Sequence, residues 1–151
     1  VNEAERQIET GSAVVLARLK EAKGTLTAFD IAEAVRGGDK DAAAIYRETG
    51  RALGICLAGL INILNLPLYV VGGGVANSWD LLSPPLFAEL EKRSYVYALT
   101  APGRPASSGM VCGGTQVLPA KLGAEAGLLG ACMLPLQEAA TSRAMSRTAA
   151  D

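Results

Sequence analysis

The amino-acid sequence predicts an α/β domain organised on a parallel sheet, and three features predict it. A long helix rich in small residues is cut off at Pro67, because proline lacks the N–H that a helix needs. Leu68-Tyr69-Val70-Val71 follows at once, a continuously apolar run without polar alternation, as expected of a strand covered on both faces. Gly72-Gly73-Gly74 then ends the strand. A helix joined to a strand by so short a link is the second half of an α/β unit, the kind of crossover that parallel strands require. With 151 residues, 50% apolar and 19% charged, the chain has the size and composition of one globular domain with its own core.

Taken in order, Ser12 to Lys23 sets Val15, Leu16 and Leu19 among charges and reads as a helix closed near Gly24. Thr27, with Asp30 three residues on, resembles a capping box and opens a second helix through Ala34 that stops at Gly37-Gly38. Asp39 or Asp41 starts the long helix, which runs to about Asn65. Leu53, Cys56, Leu57, Leu60, Ile61 and Leu64 have the spacing of one buried face. Gly50, Gly54 and Ala58 form a second line along the same helix. Each helical glycine costs about 1 kcal/mol relative to alanine, so the line implies close backbone packing, with a sheet as the expected partner.

Beyond the glycines, Asn77 or Ser78 caps a short turn through Leu82, and Ser83-Pro84-Pro85 opens a separate helix to about Arg93, with its prolines in the first turn. Tyr95 to Leu99 reads as a strand, Ala101 to Gly109 as a loop, and Thr115 to Leu118 as a strand feeding Lys121-Leu122-Gly123. A last helix from near Ala124 carries Ala126, Gly127, Gly130 and Ala131 as small contacts and Leu128, Leu129, Cys132 and Met133 for burial, until Pro135 kinks or ends it. The domain is therefore expected over 1–138, with 139–151 a flexible tail.

Composition excludes several function classes. A net charge of −1 gives no bulk attraction to nucleic acid or anionic lipid. No apolar run approaches the ~20 residues of a membrane span, and the first residues are too polar for a signal peptide, so a soluble cytoplasmic protein is expected. Cys56, Cys112 and Cys132 are far apart in apolar sequence and read as buried thiols rather than a disulfide framework or metal site. The absence of histidine removes the commonest general base and nitrogen ligand. Starting at Val1 within an amphipathic segment, the chain suits a piece of a longer protein.

The candidate site is the triple glycine. Placed at the carboxyl end of a buried strand, where open α/β sheets bind ligands, it lets a ligand approach the main chain without a Cβ in the way and offers N–H donors to a sugar, base or phosphate. It is neither a dinucleotide fingerprint, since no Gly-x-Gly-x-x-Gly opens a helix, nor a Walker loop, since no Gly-Lys-Ser/Thr follows. A purely structural tight turn is the competing reading.

The helix Gly50 to Pro67, the stretch Asn65-Leu-Pro-Leu-Tyr-Val-Val-Gly-Gly-Gly-Val75, and the later Gly127-Leu-Leu-Gly-Ala131 together resemble the carboxyl-terminal half of the ROK family of bacterial glucokinases, other sugar kinases and related repressors, over roughly Ala13 to Leu134. The resemblance implies the carboxyl-terminal part of the larger lobe of a ribonuclease-H-like fold, in the actin/hexokinase superfamily. It implies that Gly72, Gly73, Gly74 and Val75 line the adenosine of ATP, with Asn77 a polar contact. Lys121 is either near the nucleotide or simply solvated. The family's Asp-x-Gly-Gly-Thr, its base aspartate, its Glu-x-Gly-His sugar motif and its cysteine-rich zinc motif are all missing. Catalytic and metal residues are accordingly not expected here, and zinc belongs to the absent upstream part. Ile8-Glu9-Thr10-Gly11-Ser12-Ala13 resembles the family's Cys-x-Glu-x-x-x-Ser-Gly with altered spacing, so Glu9 is either a sugar ligand or a solvated carboxylate.

The implied function is part of an ATP- and Mg2+-dependent hexose kinase in which this chain supplies the adenosine-side wall, meets the hexose through the missing lobe, and is inactive alone. A homodimer is expected, with no direct contact to nucleic acid or membrane. Two alternatives stand beside it: the effector-binding lobe of a sugar-responsive repressor, and a ligand-free structural α/β domain.

Overall fold

A computed structural model describes residues 1–11, 13–103 and 114–135. Ser12, Cys112, most of the loop expected up to Gly109, and the tail expected at 139–151 lie outside the described residues. Seven helices occur among those described: α1 (Asn2–Glu9), α2 (Val14–Lys23), α3 (Ala28–Arg36), α4 (Lys40–Leu64), α5 (Trp79–Arg93), α6 (Tyr95–Thr100) and α7 (126–135). Two strands, β1 (Leu68–Val71) and β2 (Gln116–Pro119), pair in parallel with Tyr69 opposite Val117.

The amino-terminal helices form where local chemistry stops and starts them. Gly24 closes α2 at a φ of 78°, a left-handed value that disfavours a Cβ. Thr27 then caps α3 through a complete capping box: its hydroxyl accepts from the Asp30 N–H at 3.2 Å, while the Asp30 carboxylate accepts from the Thr27 N–H at 2.9 Å. Lys23 also donates to Asp30 and joins the end of α2 to the start of α3. These bonds, Lys23 foremost and then those from the Thr27 side chain and backbone, hold the Asp30 carboxyl down to about 2, against the upward push of burial.

Helix α4 begins at Asp39, whose side chain accepts from the Ala42 N–H at 2.7 Å, and ends at Asn65 in the left-handed conformation, φ 44°. The glycine line does mark a close approach, but its partner is helix α5 rather than the sheet. A Cβ at Gly50 would lie 2.6 Å from the Leu82 carbonyl oxygen, and one at Gly54 would lie 2.6 Å from that of Leu86. Leu57, Ala58 and Ile61 continue this buried face, whereas Cys56, Leu60 and Leu64 are exposed, contrary to the expected apolar face. The contact along Gly50, Gly54 and Ala58 turns the helix so that those three point outward.

Helix α5 is continuous from Trp79 and holds Pro84 and Pro85 in its interior, where a turn and a separate helix were expected. Each proline removes one hydrogen bond to the carbonyl four residues back. The Pro85 ring fits against Gly50, which leaves it room: a Cβ there would meet Pro85 Cγ at 2.6 Å. Leu82, Leu86 and Leu90 are fully buried beneath the helix, each contributing roughly 1.5–3 kcal/mol of apolar burial.

The segment expected as a strand at Tyr95 to Leu99 is helix α6. Ser94 decides this, because its hydroxyl caps the helix by accepting from the Tyr97 N–H at 3.0 Å and donates to Asn62 Oδ1 at 2.8 Å. Capping chemistry outweighs the β-preference of Tyr95-Val96-Tyr97. Tyr97 is buried and stacks on Phe87 with ring centroids 6.1 Å apart. The end of α6 is tied to the start of β2, since the Thr115 N–H donates to the Thr100 carbonyl at 2.9 Å and the two hydroxyls lie 2.7 Å apart.

The strand expected to be covered on both faces is covered on one. Tyr69 and Val117 point into a core with Leu57, Ala58, Ile61, Leu86, Leu90 and Tyr97, while Leu68 and Val70 of β1 and Leu118 of β2 stand 48%, 58% and 44% exposed. Among the described residues no element covers that second face. Helix α7 shows the same shortfall: Leu128, Leu129, Cys132 and Met133, expected to be buried, are exposed for want of a described partner. Cys56 and Cys132 are thus exposed free thiols, not buried ones.

Two outcomes follow for stability. Gly54→Ala adds a Cβ against the α5 backbone and should destabilise by about 1–3 kcal/mol, while Gly59→Ala on the same helix meets nothing within 4 Å and should stabilise by up to about 1 kcal/mol. Urea unfolding of both variants reads the opposite signs. The depressed Asp30 carboxyl contributes stability that is present above the ordinary value of 3.8 and lost as pH falls through about 2. Asp30→Asn should abolish that loss, seen as a flatter stability profile across the same pH range.

Candidate functional site

The glycine loop lies where the topology directs it, at the carboxyl ends of two parallel strands. The Ala120 N–H donates to the Val71 carbonyl at 2.8 Å, so the ladder persists to the last residue of β1. The backbone then breaks away at Gly73, whose φ of 90° and ψ of 169° belong to a region almost reserved for glycine. Gly74 to Ser78 form a short 3-10 turn, held by the Ala76 N–H donating to the Gly73 carbonyl at 3.1 Å. Ala76 and Ser78 are buried and anchor the turn, whereas Gly72, Gly73, Gly74, Val75 and Asn77 are exposed.

A second turn, Gly123–Glu125, follows β2 and lies beside the first. Gly123 also has a positive φ, 50°. Sequence reading did not include this turn in the site; a glycine placed four residues beyond a strand end was the signal available. Lys121, exposed, lies between β2 and this turn. Helix α3 and the start of α5 also border the glycine loop, and Arg36 of α3 pairs with Asp80 of α5 at 3.3 Å.

The loop has open space in front of it. A Cβ on Gly73 or Gly74 would meet nothing within 4 Å, and one on Gly72 would only touch Ala120 Cβ at 3.8 Å. Steric crowding therefore does not account for the three glycines, and only Gly73 is required by backbone conformation. Behind the loop, Val75 closes one side of an apolar cavity of about 90 Å³ whose other walls include Ile31, Ile45, Tyr46 and Thr49.

Glu9 is not part of this assembly. It is the exposed last residue of α1, and Val1, at the other end of that helix, shares the cavity with Val75. The length of α1 sets Glu9 about 12 Å further along its axis. Among the described residues no cluster of three or more cysteine or carboxylate side chains is placed to hold a metal ion, and no helix is long and apolar enough to cross a membrane. What the loop offers chemically is an open approach to its main chain, with the Arg36–Asp80 ion pair at its border.

Comparison of the folds gives the class. The chain superposes with a TM-score of 0.66 on a Cytophaga hutchinsonii protein put forward as a sugar kinase, at 21% identity, covering 90% of this chain and 40% of that one. It superposes with a TM-score of 0.64 on a ROK family glucokinase from Streptomyces griseus, solved in complex with glucose and AMPPNP, at 31% identity over 87% of this chain and 39% of the other. The fold is the α/β, ribonuclease-H-like one of the actin/hexokinase superfamily. The ROK family model matches residues 7–138, and the chain belongs to that family. A glucokinase from Halalkalibacterium halodurans is 32% identical over 115 residues, which are 76% of this chain and 31% of the glucokinase. The chain thus spans 31% to 40% of the length of these relatives.

The geometry separates the three glycines by their need for a missing Cβ. Gly73→Ala should cost about 1–3 kcal/mol of backbone strain, whereas Gly74→Ala should change stability by less than about 0.5 kcal/mol. Hydrogen exchange of the amides from Gly72 to Ser78 reports the difference, with faster exchange in the first variant only.

Proposed function

We propose that this chain forms the ATP-side wall of a ROK-type hexose kinase, a protein that transfers the γ-phosphoryl group of Mg-ATP to a sugar hydroxyl. The observation that carries the reading is the exposed triple-glycine loop at the ends of parallel strands, in a chain 31% identical to a glucokinase solved with glucose and an ATP analogue. Gly72, Gly73, Gly74 and Val75 line the adenosine, and Asn77 supplies a polar contact from the adjoining turn. The backbone here fits such a ligand, because space is open above Gly73 and Gly74.

Phosphoryl transfer of this kind rests on positioning and on neutralising charge. This chain contributes positioning: its loop fixes the adenosine end so that the polyphosphate is directed toward the other lobe. The base that takes the sugar proton, the Mg2+ ligands and any zinc belong on this reading to the upstream part, because the family's motifs for them are missing from these 151 residues. Glu9, exposed at the end of α1, is the candidate contact on the sugar side. On the same reading the lobe spans 1–138 and the complete protein is a cytoplasmic homodimer. A repressor of the family would use the same lobe for its effector; the similarity to two glucokinases favours the kinase.

In the complete protein, titration with the Mg2+ complex of AMPPNP should shift the amide resonances of Gly72 to Val75. Unmoved resonances there, with glucose present, would overturn the nucleotide reading. The 151-residue chain alone should show no glucose phosphorylation in a coupled assay, and measurable turnover would contradict the assignment of the base to another lobe.

A further inference from the structure

The ion pair beside the glycine loop joins two helix ends that border it. Arg36 stands in the last turn of α3 and Asp80 in the first turn of α5, so each charge also complements the dipole of its own helix. The guanidinium is held from both sides. One terminal nitrogen donates to Glu33 Oε1 at 2.9 Å, and the other reaches both carboxylate oxygens of Asp80, at 3.3 and 3.4 Å. The 3-10 turn Gly74–Ser78 packs against both helices, and Asp80 follows its last residue by two positions. Apart from the buried Ala76 and Ser78, the turn is held by the Ala76 N–H on the Gly73 carbonyl. Neither the turn nor α5 has a side-chain cap at its start. With so little holding it from inside, the turn takes its position from the helix ends on either side.

We infer that Arg36 and Asp80 are positioning residues: their pair fixes the end of α3 against the start of α5 and so holds the glycine loop in the shape that receives the nucleotide, without touching it. The inference rests on the nucleotide reading of the loop. An isolated exposed pair contributes little, because ordering two long side chains offsets the attraction. Here part of the ordering is done in advance. Glu33 aligns the guanidinium, and Asp80 is a short side chain on a helix turn anchored by the buried Leu82. Loss of either partner therefore raises the population of opened turn by about two- to fivefold.

The test is a double-mutant cycle in the complete protein, with Arg36→Ala, Asp80→Ala and both together, which cancels each charge's separate effect on its own helix. Hydrogen exchange of the Ala76 amide without nucleotide reads the loop, and the KM for Mg-ATP reads its ligand. Each single variant should speed that exchange and raise that KM by about two- to fivefold, with the KM for glucose and the circular dichroism spectrum unchanged. The double variant should do no more than the larger single one. Unchanged exchange in either single variant, or effects that multiply in the double, would overturn the inference. A KM raised by Arg36→Ala but not by Asp80→Ala would overturn it too, by making the arginine a direct contact of the nucleotide. Faster exchange with an unaltered KM for Mg-ATP would uphold the pair's hold on the loop and refute the nucleotide reading instead.

Discussion

The approach of α4 to α5 is the constraint on which the other arrangements depend. Two helices pack at such range only where one of them lacks side chains, and Gly50 and Gly54 supply that on α4. The contact fixes the rotation of α4 and with it the residues that meet the sheet: Leu57, Ala58 and Ile61 rather than Cys56, Leu60 and Leu64. It also secures α5 across its two prolines. Because α5 starts directly after the 3-10 turn, its placement on α4 sets where the glycine loop leaves the strand.

The amino-terminal helices extend this frame past the strand end. α4 is 25 residues long, near 37 Å at 1.5 Å per residue, and far exceeds the four-residue strand it follows. Its first turns, with α3 packed on them, therefore rise beyond the sheet. Ile45, Tyr46 and Thr49 reach the back of the loop in this way, although some 26 to 30 residues separate them from Val75. The candidate site is a short loop backed by the start of a long helix.

Much of this was legible in the residues. Capping chemistry is local, so Thr27, Asp30, Asp39 and the closing glycines gave true helix boundaries. Pro67 and the apolar run after it located β1, and the triple glycine that follows located the loop at its end. The failures share a cause, which is that partners distant in sequence decided the outcome. Tyr95 to Leu99 looks like a strand until Asn62 is seen to hold Ser94 as a cap. Pro84 and Pro85 look like a helix start until Gly50 is seen to receive the second of them. Periodicity alone could not choose between the two lines on α4, since both have helical spacing. The cavity behind Val75 was invisible for the same reason.

The parallel pairing of β1 with β2 also bears on how the chain reaches its fold. Leu68 meets Gln116 and Val71 meets Pro119, so every rung joins residues 48 positions apart. No hairpin can shorten that path, and the loop must close before any rung rewards it. On a ribosome, the apolar run Leu68 to Val71 emerges well before its neighbour strand is synthesised. For that interval its edge is unpaired, and α4, capped by Asp39, with α5 packed on its glycine line, is the element available to shield one side of it. The glycine-lined helix pair is thus the natural first structure on the pathway, with the strand-end loop acquiring its shape only when the second strand arrives.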